Sequence, residues 1–223
     1  IQEDHLGISD IHDLKDLSRV KSVVVESVKK DGWAVLNGED ENCLNIARSL
    51  SCNVALFSLD ESCPAIIEHC AEGGIAAIYE NGFITIKKGD WKIRVERATH
   101  IPLTLNGKAK FMIANVLAAT LSAYLYGFKT EDIKLSLATF IPSAAHTPGR
   151  MNIFEFSKFK VLIDFAHNPT SYLGIEDYLS SVDASRKIGI ISGVGDRRDE
   201  DIKECAKIAA RMFDHIIIRQ EKH

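Results

Sequence analysis

The chain has 223 residues, 46% of them hydrophobic and 26% charged, and its 27 basic and 31 acidic side chains leave a formal charge of -4. This is the make-up of an ordinary globular protein with room for one large domain or two smaller ones. There is no long basic run, no apolar stretch of the roughly 18 to 20 residues that span a bilayer, and no signal-like start in Ile1-Gln2-Glu3-Asp4-His5, so neither nucleic acid nor a membrane is expected as a partner and a cytoplasmic location is. Cys43, Cys52, Cys63, Cys70 and Cys205 are odd in number and form no C-x-x-C pair. Buried, reduced thiols are therefore expected rather than a disulfide framework or a zinc knuckle.

Leu14, Leu17, Val20, Val24 and Val28 recur at three- and four-residue steps, which predicts an amphipathic helix over 13–29. Strands at 33–36, 54–57 and 75–79 alternate with helical stretches ending near Leu50 and covering 64–71, the rhythm of parallel βαβ units. Runs at 83–86 and 91–95 around Lys88-Gly89-Asp90 read as a hairpin at the edge of that sheet. A long apolar helix over 108–126 and a capped helix over 130–140 follow. Pro142 and Thr147-Pro148-Gly149 mark a domain boundary. Beyond it the α/β pattern resumes, with strands at 151–156, 161–165, 187–192 and 215–218 and helices at 169–181 and 199–212. The chain lacks an initiator Met and stops directly after a strand, so a fragment of a longer protein is expected.

Several polar groups stand where ligands bind. His5 beside Asp4 is suited to a ligand or a divalent metal, or to a surface or capping role. Asn37-Gly38-Glu39-Asp40 reads as a strand-to-helix turn with Asp40 as cap, or as a site. Asn115 interrupts an apolar helix face, where its amide either satisfies nearby backbone or meets an adenine edge. Arg150 follows a Pro-Gly turn with a guanidinium suited to phosphate oxygens, and Asp164 ends an apolar strand just before Phe165-Ala-His167-Asn168-Pro169. The alternative makes Arg150 and Asp164 an ion pair and Asn168 a helix cap. Gly193-Val-Gly195-Asp196-Arg197-Arg198 joins a strand to a helix and suits an anionic group, or is a plain turn. It is not a dinucleotide fingerprint, and no G-x-x-x-x-G-K-[ST] phosphate loop occurs in the chain.

Taken in order, Glu3-Asp4-His5-Leu6-Gly7, Leu36-Asn37-Gly-Glu-Asp40, Phe111-Met-Ile-Ala-Asn115, Pro148-Gly149-Arg150-Met151, Asp164-Phe-Ala-His167-Asn168-Pro169 and Gly195-Asp196-Arg197-Arg198-Asp199-Glu200-Asp201-Ile202 resemble the Mur ligase family. The resemblance implies an α/β fold: residues 1–147 as the remainder of a central ATP-binding domain lacking its phosphate-loop part, and residues 148–223 as a truncated Rossmann-like C-terminal domain. It implies an ATP-dependent amide ligase working through an acyl phosphate, with Mg2+ and ATP as cofactors. Its most similar branch adds arginine to the β-carboxylate of a poly-aspartate backbone. Peptidoglycan-precursor and folylpolyglutamate-type ligases share the Asp164 to Pro169 segment, and a non-catalytic oligomerisation scaffold is the reading from another class. By resemblance His5 ligates the metal, and Lys21 matches a lysine carbamylated in several family members. Asn115 contacts adenine, Arg150 the phosphates or ribose, and Asp164 the ribose hydroxyls. His167 and Asn168 line a cleft between domains, and Gly195, Asp196, Arg197 and Arg198 help bind the incoming amino acid. Glu39 stands where the family usually has Asp. The full-length enzyme is expected to be a homo-oligomer and the fragment alone inactive.

Overall fold

The computed structural model describes residue 1, residue 6 and residues 10–193 and 198–220. It divides into two units, one built on residues 10–140 and one from residue 141 onward.

In the first unit Asp13 starts α1 (Leu14–Glu26) with a capping box: its carboxylate accepts from the amides of Lys15 and Asp16, and Asp16 reaches back to the cap backbone. Then come β1 (Trp33–Asn37), α2 (Glu41–Ala47), β2 (Asn53–Ser58), α3 (Pro64–Ala71), β3 (Ile75–Glu80), β4 (Phe83–Lys88) and β5 (Trp91–Arg97). The strands form one sheet in the order β1-β2-β3-β4-β5. β1, β2 and β3 are parallel, and β4 and β5 add antiparallel at one edge, as the alternation of helices and the hairpin signal predict.

On one face of this sheet α4 (Lys110–Tyr126) packs Ile113, Val116, Leu117 and Leu121 against Ala55, Ala77 and Ile84. On the other, Cys63, Ile66 and Cys70 around α3 pack against Leu36, Leu56, Ala76 and Ile78. Alanines at the strand centres let helices approach on both sides, since no larger side chain holds them off. α5 (Thr130–Thr139) sets Ile133 on Ile86 and Val95. Between β4 and β5 the register slips: Ile84 faces Glu96 while Thr85 faces Arg94, so Val95 is an extra residue and the strand carries a bulge.

The structure corrects the reading of α1. Leu17 is buried, but Val20, Val23 and Val24 are 55%, 57% and 75% exposed. The inward stripe instead runs through Ser22, whose hydroxyl donates to the Arg19 carbonyl and the Glu26 carboxylate, and on to Val25 beside the α3-side core. A serine satisfied inside its own helix needs no outside partner, so it takes an inward position that periodicity gives to valine.

In the second unit β6 (Asn152–Glu155) pairs antiparallel with β7 (Lys160–Ile163). After α6 (Pro169–Ser180), β8 (Ile188–Ile191) pairs parallel with β9 (His215–Ile218) across α7 (Asp199–Met212). α6 buries Tyr172, Ile175 and Tyr178, and α7 buries Ile208, Ala209 and Met212. A two-pronged contact of Arg211 with Glu176, at 3.1 and 3.2 Å, ties the two helices. The cysteines are free, but only Cys63 and Cys70 are buried, while Cys43, Cys52 and Cys205 are half-buried. Short helices and edge positions do not enclose every apolar side chain. No described helix is long and apolar enough to cross a membrane.

Candidate functional site

A polar junction in the second unit joins the Pro-Gly turn before β6 to the segment after β7. Gly149 and Met151 have φ of 66° and 49°, the left-handed region that a non-glycine residue enters only when held there. Buried Asn152 supplies part of the hold: its Oδ1 accepts from the Gly149 amide at 2.8 Å, and its Nδ2 donates to the carbonyls of Thr147 and Arg150 at 3.0 and 3.3 Å. Asp164 supplies the rest, with Oδ2 accepting from the Met151 amide at 2.9 Å. The Phe165 amide closes the clamp by donating to the Gly149 carbonyl at 2.7 Å.

Within this clamp Arg150 does not form the ion pair of the alternative reading. The guanidinium is exposed and lies 5.3 Å from the centre of the Phe165 ring, and it forms no ion pair with Asp164. Asp164 is turned to backbone, and a cation–π contact stands where the alternative reading put a salt bridge. Arg150 is thus supported by an aromatic ring while staying exposed, and an exposed guanidinium is able to grip a phosphate or carboxylate with two parallel hydrogen bonds.

His167 and Asn168 continue the same surface. His167 Nδ1 lies 2.9 Å from the Phe165 carbonyl; a carbonyl only accepts, so Nδ1 carries the proton. Asn168 caps α6, accepting from the Ser171 amide at 2.9 Å while the Ser171 hydroxyl accepts from the Asn168 amide at 3.2 Å. The capping role foreseen for Asn168 is therefore real, with Pro169 at the first helical position.

A groove of about 700 Å³ beside the start of α6 brings Pro169 and Thr170 together with Arg198 at the cap of α7 and with Glu200, Asp201 and Lys203 inside that helix. Arg198 donates to both Asp201 oxygens at 2.9 Å. Asp199, Glu200 and Asp201 fill the first turn of α7 and already complement its dipole, which leaves that helix end a poor receiver for a second anion. Cys205 on the same helix has its thiol pushed up to about 11, first by burial and then by Asp201 and Glu204, and is no nucleophile at neutral pH. Gly195, Asp196 and Arg197, like His5, lie outside the described residues.

In the first unit Asn115 corrects its expectation. It sits on the exposed side of α4, its amide nitrogen donating only to the Met112 sulfur at 3.7 Å. Burial therefore makes no demand on it, and its carbonyl and most of its donor capacity face outward. Lys21 is exposed on α1. Asp40 is the cap of α2, accepting from the amides of Asn42 and Cys43 at 2.8 and 3.1 Å. Glu39 accepts from the Ser58 hydroxyl at 2.7 Å, which pins the β1–α2 turn to the end of β2.

Sequence reasoning passed over Asn152 and Phe165. A buried amide directly after a turn was a readable signal for the first, because buried amides must be satisfied. The partnership of Phe165 with Arg150 had none, since it is created by a contact across the turn.

A mixed sheet whose parallel half lies between helices, followed by a smaller α/β unit with a polar strand-to-helix turn, is a Mur-ligase-like fold. MurF from Acinetobacter baumannii superimposes on 98% of the chain, over 45% of its own length, with a TM-score of 0.68 at 19% identity. E. coli FolC in complex with ADP covers all of it, over 46% of its own length, with a TM-score of 0.67 at 16% identity. In sequence the chain is related over nearly its whole length to cyanophycin synthetase: it is 45% identical to the enzyme of Geminocystis herdmanii over 221 residues, which are 99% of this chain and 25% of that one. A more distant relative, 28% identical over 76% of this chain and 33% of its own, is the UDP-N-acetylmuramate--L-alanine ligase of Acetivibrio thermocellus. The chain thus spans about a quarter of the length of the cyanophycin synthetases it matches. No protein-family model matches it.

Proposed function

We propose that this chain is the part of a cyanophycin synthetase that carries the nucleotide and amino-acid contacts of an ATP-dependent carbon–nitrogen ligase, joining arginine to the β-carboxylate of a poly-aspartate backbone. The observation that carries the reading is the 45% identity over 99% of the chain. The local chemistry supports it. Asp164 commits Oδ2 to the Met151 amide and keeps Oδ1 for a ribose hydroxyl. Arg150, stacked on Phe165, offers its N–H edge to phosphate oxygens. Asn115 presents an outward amide of the kind an adenine edge requires. The groove beside α6 mixes Glu200, Asp201 and Glu204 with Arg198, Lys203 and Lys207, a lining suited to a zwitterion with a cationic side chain. His5 is proposed as the Mg2+ ligand, with Lys21 and His167 in supporting roles and Gly195, Asp196 and Arg197 on the amino-acid side.

ATP supplies the leaving group. A substrate carboxylate oxygen bonds to the γ-phosphorus as ADP departs, and the arginine amine then attacks the acyl carbon, expelling phosphate and losing a proton. Fixed cations and amides stabilise the charge that develops on the transferring group. The test is to incubate the full-length protein with ATP, labelled arginine and an aspartate polymer. Arginine incorporation matched by phosphate release is expected, falling by about 100-fold or more in Arg150→Ala and Asp164→Ala, as when an oxyanion-stabilising donor is removed. Incorporation of a different amino acid in place of arginine overturns the substrate, and turnover unaffected by either substitution overturns the site.

A further inference from the structure

The β4–β5 hairpin carries a basic face that the site above does not use. Residues 83–97 hold five basic side chains, Lys87, Lys88, Lys92, Arg94 and Arg97, against two acidic ones, Asp90 and Glu96, in a chain whose overall charge is negative. On a regular strand residues 94 and 97 point to opposite faces. The bulge at Val95 adds one residue, so Arg97 opposite Phe83 and Arg94 opposite Thr85 emerge on the same side. Both guanidinium groups lie over the Phe83 ring, at 4.4 and 5.2 Å from its centre. Lys87 and Lys92 pair across the hairpin and share that face. The exceptions to its positive charge are nearby: buried Glu80 is paired with Lys92, and Glu61 also bonds to it. Glu96, which the bulge turns to the other side, is taken up by His100 and Lys134. β5 is also the last strand of the sheet, so among the described residues no strand pairs with its outer backbone groups.

We infer that the outer edge of β5 is a docking strand for an extended, aspartate-rich chain. Such a chain adds to the sheet through backbone hydrogen bonds and sets its alternate carboxylates against Arg94 and Arg97, Lys92 being taken up by Glu80. Alternate side chains of an extended peptide repeat about every 6.8 Å, which is also the step between Thr85 and Phe83, the residues of β4 opposite Arg94 and Arg97. An open strand edge recognises a peptide backbone and has nothing equivalent to offer a nucleic acid, so the two features together select a polyacidic peptide. The bulge serves to turn the second guanidinium onto the same line. That the occupant is the aspartate backbone of the growing polymer rests on the function proposed above; the placement of the face does not.

Fluorescence anisotropy of a labelled oligo-L-aspartate with the full-length protein reads this directly. The Arg94→Gln/Arg97→Gln double variant, altered only at exposed side chains, is expected to bind about five- to ten-fold more weakly, with a shallower salt dependence. A Lys158→Gln control is expected to bind normally. An oligo-aspartate N-methylated at alternate residues is expected to lose affinity because it cannot complete strand pairing. Unchanged affinity in the double variant, undiminished binding of the methylated peptide, or equally tight binding of oligothymidylate lost in the same variant overturns the proposal. If the wild-type protein binds the peptide but incorporates no arginine, the ligase reading fails and the docking strand stands. If arginine is incorporated and the double variant binds normally, the reverse holds.

Discussion

The two units spend similar sequence signals on different ends. In the first, strands are enclosed between helices, and Ile66, Ile78, Ile84, Ile113, Leu117 and Leu121 reach near-zero exposure. In the second, Ile188, Ile190, Ile217 and Ile218, together with Phe154, Phe156 and Phe159, stay 40% to 77% exposed on strands only four residues long or just beside them. Stability in the first unit comes from a closed apolar interior. In the second it leans on capping, on Asn152 and on the pairing of α6 with α7. Polar junctions of that kind are what a ligand site needs, and Arg150, Asp164, His167 and Asn168 sit on or next to one of them.

Truncating the closed interior is the largest expected perturbation. Leu117→Ala should cost the first unit about 2 to 5 kcal/mol, because the cavity lies where both neighbouring layers are fixed. Urea unfolding followed by the fluorescence of Trp33 and Trp91, both in the first unit, measures it; a loss below about 1 kcal/mol would show that this interior is no tighter than the second unit's.

The cap of α6 sharpens the other side of the comparison. Asn168→Ala should cost about 1 kcal/mol, while Asn168→Asp keeps the acceptor and most of the stability. Hydrogen exchange of the amide of Ser171 and its neighbours is the readout, and equal protection in both variants would remove capping as a support of the second unit.

The smallest effect is a pH dependence confined to the first unit. Burial holds His69 below its ordinary value, against opposing contributions from the Ile75 backbone and Glu72, and its Nε2 is buried without a partner. The unfolded chain therefore takes up a proton at this residue before the folded one does. Stability is unaffected above the ordinary value of 6.5, falls as pH drops below it, and levels off below the depressed folded value. His69→Gln should flatten that slope in urea midpoints taken across the range, and an unchanged slope would assign the dependence elsewhere. Gly74 belongs to the same arrangement, since a Cβ there would stand 2.3 Å from the His69 ring.

Element order was almost fully legible because the periodicities are clean and the turn residues mark their ends: α3 occupies the expected span, and the hairpin forms around Gly89. What escaped was decided by contacts between elements. Val20, Val23 and Val24 of α1 face outward while Ser22, satisfied inside the helix, takes an inward position. Asn115 is exposed because the sheet lies against the opposite side of α4. Pro148-Gly149 announces a turn, but neither the left-handed Met151 nor the bulge at Val95 is marked by its own residue type. At the candidate site the residue types and the Asn168 cap were readable, whereas the support of Arg150 by Phe165 required coordinates.

The Met151 amide ties down one oxygen of Asp164. The carboxylate therefore cannot swing toward another partner without releasing a left-handed bend, and Asp164→Leu should disturb the backbone at Gly149 and Met151 before it disturbs anything more distant.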